Sequence, residues 1–498
     1  MRAKEQKMKQ YILGIDQSTQ GTKALLFDEG GSAVLRRDAP HRQYIDEKGW
    51  VGHDAEEIWQ NTLKIVRELF DGTGIEPSAV AGIGISNQRE TAVAWERKTG
   101  RPIAHAVVWQ CARGESVIQR VGTPELEAYV QKSTGLPLSP YFSAAKLAWI
   151  LENVPEAQML SEKHELCMGT MDAYLLYRMT EGEAFQTDAS NASRTQLFNI
   201  RTLSWDEKIL NAFGIHEDAL PEVCDSDSLF GQTTMGGLFE RPVPVHAMLG
   251  DSHAALYGQG CFEKGMTKCT YGTGSSVMMN IGRELREAED GIVTSLAWKI
   301  GREAAYVFEG NINYTGAVVT WMKDEAHWIQ TDAESEVCAA QANPADRTYL
   351  VPAFSGLGAP YYRSDVRAMI FGMSRTTGRN ELVRAGLDAI VYQITDIAER
   401  MKAQAGIGHM ELRADGGPTK NAWLMQRQAD ILNDPVRVSG LEELSAAGAA
   451  FLAGKKLGLY DETVTDRAGF SRYESTMEDT KRKALYQGWQ KAVGQLLL

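Results

Sequence analysis

The chain has 498 residues, of which 43% are hydrophobic, so it is long enough for two or more domains with buried cores. Its 65 acidic residues outnumber its 52 basic ones and give a net charge of -13, and no basic run marks a nucleic-acid-binding surface. No window approaches about 18 consecutive apolar residues, and the charged segment Met1 to Gln10 lacks the apolar core of a signal peptide. We expect a cytoplasmic protein without membrane insertion and without a nucleic-acid partner.

The six cysteines are scattered along the chain and show no C-x-x-C spacing. The absence of that spacing argues against a structural zinc site and against a disulfide framework. Reduced thiols in a cytoplasmic protein are the expectation.

The first predicted elements are two apolar strands, Tyr11 to Ile15 and Ala24 to Phe27, joined by a turn of small residues. Small side chains in such a turn let backbone N–H groups approach a phosphate closely. A helix is predicted from Ala55 to Phe70, and a further apolar strand from Val80 to Ser86. Strands that alternate with helices in this way predict an α/β fold.

A short acidic segment around Asp251 follows in the middle of the chain, shortly before a second glycine-rich turn. A carboxylate beside a candidate phosphate turn is a candidate proton acceptor, and the pairing predicts phosphoryl transfer. The alternative interpretation is that Asp251 caps a helix predicted from Ser252 to Gly258. One carboxylate can serve both as a cap and as a base.

The second glycine-rich turn lies within Thr267 to Met278 and repeats the N-terminal pattern of two strands around Gly, Thr and Ser. Two copies separated by about half the chain indicate an internal duplication, with two related domains that each offer a phosphate-binding turn to a shared cleft. We place the domain boundary near Gly258, which gives domains of residues 1–258 and 259–498. Two ordinary hairpins with glycine turns remain the alternative.

A strand from Met410 to Ala414 runs into the turn Asp415 to Thr419, and a helical pattern opens at Asn421. A strand, a glycine turn and a helix N-terminus together favour an anionic or polar ligand, for which a nucleotide is the natural candidate. A tight turn that needs glycine for its geometry alone explains the segment equally well. The later helix Ser445 to Gly454 is rich in small residues, which predicts close helix packing.

Four further motifs stand in order along the chain: Ser86 to Thr91, Val108 to Cys111, Tyr141 to Asn153 and Pro352 to Tyr361. Together with the two hairpins, they resemble the FGGY carbohydrate kinases over nearly the whole chain, from Tyr11 to about Tyr460. Among the members of that family, the likeness is greatest to those that phosphorylate glycerol.

The resemblance implies two actin-like, ribonuclease-H-type α/β domains flanking a catalytic cleft, with a sugar or polyol held by the first domain and ATP mainly by the second. It implies an ATP-dependent kinase that uses Mg²⁺ and phosphorylates a terminal primary hydroxyl of a small polyol, with glycerol as the first expectation and sn-glycerol 3-phosphate as the product. Homodimers and homotetramers are common among similar kinases.

Residue by residue, the resemblance implies that Asp251 is the catalytic base and that Asp16 is the acidic residue near the metal. The implied acceptor-binding residues are Arg89, Glu90, Trp109, Tyr141, Asp251, Ser252 and Ser276. The implied ATP-binding residues are Ser18, Thr19, Thr22, Lys23, Gly272, Thr273, Gly316, Thr320, Gly416, Gly417 and Asn421. A carboxylate with a guanidinium satisfies hydroxyl groups, while an indole packs on C–H groups, so this set suits a polyol.

The chain departs from the glycerol-phosphorylating members at the acceptor pocket, where Ser252 replaces a Gln and Ser276 an aromatic residue. Loss of a ring beside the substrate carbons removes apolar contact of about 1–3 kcal/mol and leaves volume for a longer or more polar acceptor. Near the nucleotide, Lys23 replaces an Arg, Thr320 a Gln and Ala422 an Asn. Lys lacks the bidentate fork of Arg, so ATP affinity is expected to change while binding is retained.

Two alternatives therefore accompany glycerol phosphorylation. One is an FGGY kinase for a longer polyol or a ketose, such as a tetritol, erythrulose, xylulose or ribulose; Gln88-Arg89-Glu90 argues against the xylulose type, which typically carries a Met-His pair near this place. The other is a nucleotide-switched binding protein of the actin or chaperone type, which shares the hairpins but needs no acceptor site. Arg89, Glu90 and Trp109 favour the kinase.

Overall fold

The computed structural model describes residues 9–467 and 469–498, which divide into two compact units. The first unit contains the described residues up to 260 together with 295–306 and 443–467, and the second contains the described residues of 261–294, 307–442 and 468–498. The compact units are therefore not continuous in sequence. The division into domains of residues 1–258 and 259–498 stays a prediction.

The strands, in chain order, are β1 Tyr11–Gln17, β2 Gly21–Phe27, β3 Ala33–Pro40, β4 Gln43–Ile45, β5 Val51–His53, β6 Val80–Asn87, β7 Val93–Glu96, β8 Ala106–Val107, β9 Leu166–Gly169, β10 Gln186–Asp188, β11 Phe198–Asn199, β12 Ser204–Trp205, β13 Glu222–Cys224, β14 Gly231–Thr233, β15 Val243–Gly250, β16 Met266–Tyr271, β17 Ser275–Gly282, β18 Val293–Ile300, β19 Glu303–Ile312, β20 Tyr349–Val351, β21 Met369–Phe371, β22 Glu411–Asp415, β23 Val436–Ser439 and β24 Phe470–Tyr473.

The α-helices are α1 Ala55–Glu68, α2 Glu115–Val121, α3 Pro124–Thr134, α4 Ser143–Asn153, α5 Pro155–Glu162, α6 Met171–Met179, α7 Ala189–Ala192, α8 Glu207–Phe213, α9 Asp251–Gly258, α10 Gly316–Asp324, α11 Glu334–Gln341, α12 Arg379–Ala405, α13 Ala422–Leu432, α14 Leu444–Lys456 and α15 Asp479–Leu496. Short 3₁₀ turns lie at Pro77–Ala79, Ala112–Gly114, Glu217–Ala219, Gly417–Lys420 and Val464–Asp466.

The first unit is built on a six-stranded sheet in the order β14-β15-β6-β1-β2-β3. The N-terminal hairpin of β1 and β2 is antiparallel, whereas β1 and β6, and β6 and β15, pair in parallel. Strands β1 and β6 are apolar on both faces and almost wholly buried, as expected for parallel strands covered by helices. Helix α1 packs on β2 and β3, and it begins where the Asp54 carboxylate accepts hydrogen bonds from the N–H groups of Glu56 and Glu57.

The small-residue helix α14 lies against β6 and α9 in the first unit. A Cβ atom added to Gly448 would come within 1.8 Å of the Ala254 carbonyl oxygen, and one added to Gly84 within 2.2 Å of the Ala449 carbonyl oxygen. Only glycine permits so close an approach of two backbones. The prediction that this helix serves close packing is confirmed.

The second unit repeats the strand arrangement of the first. Its sheet has the order β18-β19-β17-β16-β22-β23-β24, in which the hairpin of β16 and β17 is antiparallel and β16, β22 and β23 are parallel. In both sheets the first strand of the hairpin pairs in parallel with a second strand, which pairs in parallel with a third: β1 with β6 and β6 with β15, and β16 with β22 and β22 with β23. This shared topology confirms the predicted duplication and the α/β fold class. None of the helices in the described parts of the chain is long and apolar enough to cross a membrane.

Candidate active site

The turn between β1 and β2 is tight and made of small polar residues. The N–H and the hydroxyl of Ser18 both donate to the Gly21 carbonyl oxygen, at 2.8 and 2.9 Å. The Thr19 hydroxyl accepts a hydrogen bond of 2.9 Å from the indole N–H of Trp109. This turn therefore carries predicted nucleotide-binding residues and contacts a predicted acceptor-binding residue within the first unit.

Asp16 lies at the end of β1, where it is buried and accepts a 2.9 Å hydrogen bond from the Ser86 hydroxyl. Burial raises the pKa of Asp16 to about 6, although the nearby charge of Lys23 acts in the opposite direction. A buried carboxylate with a raised pKa is poised to gain a cation as a partner. That property suits the metal-binding role predicted for Asp16.

Thr22 and Lys23 begin the second strand of the hairpin. The Thr22 hydroxyl is fully buried and has no hydrogen-bond partner among the residues that the structure describes. The Lys23 ammonium group pairs with Glu443 at 2.7 Å, and the same carboxylate group pairs with Arg36, also at 2.7 Å. Glu443 was not identified from the sequence, because it precedes α14 in a distant segment that joins the first unit only in the fold.

Arg89 and Asp251 form an ion pair, with Arg89 Nε 3.2 Å from Asp251 Oδ1. Arg89 is 6% exposed, whereas the Asp251 side chain is 37% exposed, so the carboxylate remains accessible. Helix α9 begins at Asp251 itself, and Gly250 occupies the N-cap position. The interpretation of Asp251 as a cap for a helix that starts at Ser252 is therefore wrong. Ser252 lies beside it in the first turn and donates its N–H to Asp251 Oδ1.

Glu90 forms a buried ion pair with Arg194, whose Nε lies 2.6 Å from Glu90 Oε1; both side chains are at most 3% exposed. Glu90 has a φ of 59°, a left-handed conformation that non-glycine residues seldom adopt. The structure thus fixes the Glu90 carboxylate by both its backbone and its partner. Arg194 was missed by sequence reasoning, since nothing in its local sequence distinguishes it.

Trp109 and Tyr141 form an aromatic corner, with ring centroids 5.6 Å apart and an edge-to-face angle of 61°. The backbone N–H of Trp109 donates to the Thr91 hydroxyl at 3.2 Å, and this bond holds Trp109 next to the Arg89-Glu90 segment. Behind Tyr141, the buried Lys146 ammonium donates to the carbonyl oxygens of Tyr141 and Phe142. Burial lowers the pKa of Lys146 to about 7, against the opposing charge of Glu90.

In the second unit, the hairpin turn at Gly272 and Thr273 is tied to the start of α10. The N–H of Gly316 donates to the Gly272 carbonyl oxygen at 2.9 Å, and the N–H of Ala317 donates to that of Thr273 at 3.1 Å. Because a Cβ atom on Gly316 would lie 2.7 Å from the Gly272 oxygen, this approach depends on glycine. Thr320 lies exposed one turn further along α10.

The glycine turn after β22 reaches the same hairpin. Gly416 has a φ of 99°, and a Cβ atom there would meet the Tyr271 carbonyl oxygen at 2.1 Å. Gly417 is exposed, and Asn421 caps α13 by accepting a 2.9 Å hydrogen bond from the Leu424 N–H. Because Tyr271 precedes the Gly272 turn and Gly316 contacts that turn, the second unit brings together its own three segments predicted to bind the nucleotide.

Ser276 lies on β17, where its hydroxyl accepts a 3.3 Å hydrogen bond from the largely buried Lys268 ammonium group. This position belongs to the second unit, whereas the other predicted acceptor-binding residues belong to the first. Among the described residues, no group of three or more His, Cys, Asp or Glu side chains is placed to hold a metal ion.

Comparison with known proteins defines the class of this protein. The N-terminal domain model of the FGGY family of carbohydrate kinases matches residues 11–258, and the C-terminal domain model matches residues 267–457. The chain belongs to the FGGY family of carbohydrate kinases, and its activity is that of an ATP-dependent transferase.

Its relatives include several glycerol kinases. The chain is 46% identical to Glycerol kinase 1 of Thermotoga maritima over 98% of this chain and 99% of that protein, and 40% identical to the glycerol kinase of Bacillus subtilis over 98% and 99%. Among solved structures, Plasmodium falciparum glycerol kinase with ADP matches with a TM-score of 0.94 and 35% identity, covering 98% of this chain and 99% of that one. A gluconate kinase from Lactobacillus acidophilus shares the fold, with a TM-score of 0.87 at 19% identity over 98% of each chain.

Proposed function

We propose that this protein transfers the γ-phosphoryl group of ATP to a terminal primary hydroxyl of glycerol, with sn-glycerol 3-phosphate as the product. The observation that carries the proposal is the contact between Arg89 and Asp251, next to Glu90 and the Trp109–Tyr141 corner. The full-length similarity to glycerol kinases supports glycerol as the acceptor.

Each of these residues has a task that its surroundings suit. Arg89 and Glu90 offer a donor and an acceptor to the hydroxyl groups of the polyol, and both side chains are held by ion pairs rather than left to move in solvent. The edge-to-face rings of Trp109 and Tyr141 give the carbon chain an apolar surface. An acceptor bound in this way is oriented before the reaction, which is the main contribution that a protein makes to phosphoryl transfer.

Asp251 accepts the proton of the attacking hydroxyl as the bond between that oxygen and phosphorus forms. Its contacts with Arg89 and with the Ser252 N–H both use Oδ1, and we assign the acceptance of the proton to Oδ2. The leaving ADP takes the electron pair of the broken phosphoanhydride bond.

We infer that Gly272, Thr273, Gly316, Gly416, Gly417, Thr320 and Asn421 in the second unit, with Ser18, Thr19, Thr22 and Lys23 in the first, bind ATP. The glycine turns around Tyr271 support this assignment for the second unit. Asp16 fits Mg²⁺, because that ion usually takes one or two protein carboxylates and completes its shell with phosphate oxygens and water. Bound Mg²⁺ supplies charge that offsets the phosphates. The six free thiols and the use of ATP fit a cytoplasmic enzyme.

The test is a coupled assay of ADP release with Mg·ATP and glycerol, erythritol, threitol, erythrulose, dihydroxyacetone, xylulose and ribulose as acceptors. We expect the highest kcat/KM for glycerol, by about tenfold or more over each longer acceptor. Preference for a four- or five-carbon acceptor would reject glycerol and identify Ser252 and Ser276 as marks of a reshaped pocket. Steady ATP hydrolysis that no acceptor stimulates would reject the kinase and favour a nucleotide switch.

A further inference from the structure

Helix α7, in the first unit, is a single turn of four residues that are all buried. Ser190, Asn191 and the preceding Asp188 are 0% exposed, although side chains of these types lie mostly at protein surfaces. None of the three belongs to the residues proposed to bind the acceptor or ATP. Since burial of a polar group is costly unless the group is hydrogen-bonded, the partners of these side chains indicate what they do.

Asp188 anchors this helical turn. Its carboxylate accepts hydrogen bonds from the backbone N–H groups of Ser190 and Asn191, at 2.9 Å each, and from their side chains, at 3.0 and 2.9 Å. The Ser226 hydroxyl donates a fifth bond of 2.7 Å. Five donors fill the acceptor capacity of one carboxylate. Asp188 therefore fixes the directions of the Ser190 hydroxyl and of the Asn191 amide.

The Ser190 hydroxyl contacts the strand that leads to Asp251. Its oxygen accepts a 3.0 Å hydrogen bond from the N–H of Gly250, a buried residue at the end of β15. Because this hydroxyl donates its hydrogen to Asp188, its oxygen can accept the Gly250 N–H at the same time. Gly250 is the N-cap of α9, and Asp251 is the first residue of that helix. Ser190 therefore holds the backbone immediately before the proposed base.

The position of Gly250 also affects Arg89, the ion-pair partner of Asp251. A Cβ atom added to Gly250 would lie 2.7 Å from both Cγ and Cδ of Arg89, so the Arg89 side chain packs against the Gly250 backbone. Arg89 Nε and Asp251 Oδ1 are 3.2 Å apart. A shift of the Gly250 backbone would therefore disturb both members of this ion pair.

Asn191 makes the corresponding contact with the neighbouring strand. Its amide exchanges two hydrogen bonds, of 2.9 and 3.0 Å, with the amide of Asn87 at the end of β6. Asn87 also donates to the Gln88 carbonyl oxygen at 3.0 Å, one residue before Arg89. Helix α7 thus contacts the ends of both parallel strands, β15 through Ser190 and β6 through Asn191. It fixes these two strand ends relative to each other.

We propose that Ser190 is a positioning residue for phosphoryl transfer, with Asp188 as its anchor. The inference rests on the proposed function and adds to it the means by which the base is held in place. Ser190 is fully buried, so it acts through the Gly250 N–H on the Asp251 carboxylate and not by contact with a substrate. A displacement of about 1 Å in a catalytic group can lower the rate about a hundredfold, so the loss of this one hydrogen bond should slow turnover.

The test compares Ser190→Ala with Ser193→Ala in the full-length protein. Ser190→Ala removes the acceptor of the Gly250 N–H, while Asp188 still accepts the two backbone N–H bonds at the start of α7, so the variant should fold. Ser193→Ala is the matched control, because Ser193 is also 0% exposed, caps the end of the same helix and accepts the buried Leu296 N–H at 3.3 Å. The measurements are kcat and KM with glycerol, the affinity for Mg·ADP, and amide hydrogen exchange at the start of α9 by mass spectrometry.

We expect kcat to fall about 10- to 100-fold in Ser190→Ala and to stay within about twofold of wild type in Ser193→Ala, with the affinity for Mg·ADP unchanged in both. Exchange of the Gly250 N–H should become at least about fivefold faster in Ser190→Ala only. Because Ser190 acts through Asp251, adding Ser190→Ala to Asp251→Asn should slow that variant by less than about twofold. A general loss of stability would instead slow both backgrounds equally.

Three kinetic results would overturn the proposal: a wild-type kcat in Ser190→Ala, an equal loss in Ser193→Ala, or the full further loss in the Asp251→Asn background. Wild-type protein that phosphorylates no acceptor would instead reject the proposed function. Amide exchange would then decide whether Ser190 holds the backbone before Asp251. Faster exchange of the Gly250 N–H in Ser190→Ala would support that role, and unchanged exchange would overturn it.

Discussion

Arg89 Nε lies 3.2 Å from Asp251 Oδ1, and this contact follows from the topology of the first unit. Asn87, at the end of β6, pairs with Gly250 at the end of the parallel strand β15. The residues that follow the two strands therefore emerge at the same edge of the sheet, where ligands of parallel α/β sheets commonly bind. Asp16 reaches this edge as well, because it pairs with Ser86 in the parallel register of β1 and β6.

The buried pair of Glu90 and Arg194 should matter for both stability and acceptor binding. Replacing Arg194 with Met leaves a buried carboxylate without its partner, which costs about 3–5 kcal/mol of unfolding free energy. We expect a lower melting temperature and a higher KM for glycerol. Urea unfolding and acceptor kinetics measure the two effects.

The double variant Glu90→Gln/Arg194→Met separates these effects, since it removes both charges. Its stability should recover at least in part, while its KM for glycerol stays high. A normal KM in the double variant would show that the Glu90 carboxylate does not contact the acceptor.

The unpaired hydroxyl of Thr22 predicts opposite effects on folding and on nucleotide binding. Thr22→Val keeps the shape of the side chain and removes a buried polar group that has no partner among the described residues. Stability should stay equal or rise by about 1 kcal/mol, whereas the affinity for Mg·ADP should fall severalfold.

Thr62→Val is the matched control, because the buried Thr62 hydroxyl donates to the Ile58 carbonyl oxygen at 2.8 Å within α1. That variant should lose about 1 kcal/mol of stability and bind Mg·ADP normally. Unchanged nucleotide affinity in Thr22→Val would remove Thr22 from the proposed site.

Asp16 should make the stability of the metal-free protein depend on pH. Burial raises its pKa from the ordinary value of 3.8 to about 6, so the folded state keeps the proton to higher pH than the unfolded state. The contribution of Asp16 to stability is therefore greatest below about pH 4 and falls by up to about 3 kcal/mol as pH rises through 6. The difference in unfolding free energy between wild type and Asp16→Asn, measured from pH 4.5 to 8 without metal, should follow this course. A difference that does not vary with pH would contradict the assigned environment.

The turn after β22 should depend on glycine at one position and not at the next. Gly416→Ala places a Cβ atom 2.1 Å from the Tyr271 carbonyl oxygen at a φ of 99°, so we expect a loss of about 1–3 kcal/mol and weaker nucleotide binding. Gly417→Ala meets no atom within 4 Å and should change stability by less than about 0.5 kcal/mol. Thermal unfolding of both variants measures this contrast. Equal stability of Gly416→Ala and Gly417→Ala would show that the turn can shift to accommodate a Cβ atom at residue 416.

The sequence predicted the local parts of this architecture well. The hairpins of β1–β2 and β16–β17, the strand β6 and the helix α1 follow from apolar periodicity and small-residue turns, and helix α1 ends two residues before the predicted Phe70. Their duplication appears in the shared strand order of the two sheets. Patterns of this kind depend on neighbours in sequence and can be recognised without the fold.

The parts that the sequence could not predict depend on contacts between distant segments. Arg194 pairs with Glu90, and Glu443 pairs with Lys23, through pairings that only the folded chain creates. Asp251 proved to be the first residue of its helix and not the cap, because Gly250 ends a strand in the extended conformation that the N-cap requires. An Asp at the beginning of a helical pattern can be either the N-cap or the first residue of the helix, and the sequence alone does not distinguish these two positions.

The most direct test of the central claim is the rate of transfer from γ-³²P-labelled ATP to glycerol in a single turnover, compared between wild type and Asp251→Asn. An amide at this position cannot accept the proton, so labelled glycerol phosphate should form about 10²- to 10⁴-fold more slowly, while the affinity for Mg·ADP stays unchanged. Asp71→Asn, which changes an exposed carboxylate, should behave as wild type. Formation of labelled product by Asp251→Asn at the wild-type rate, or no labelled product with wild type, would contradict the account.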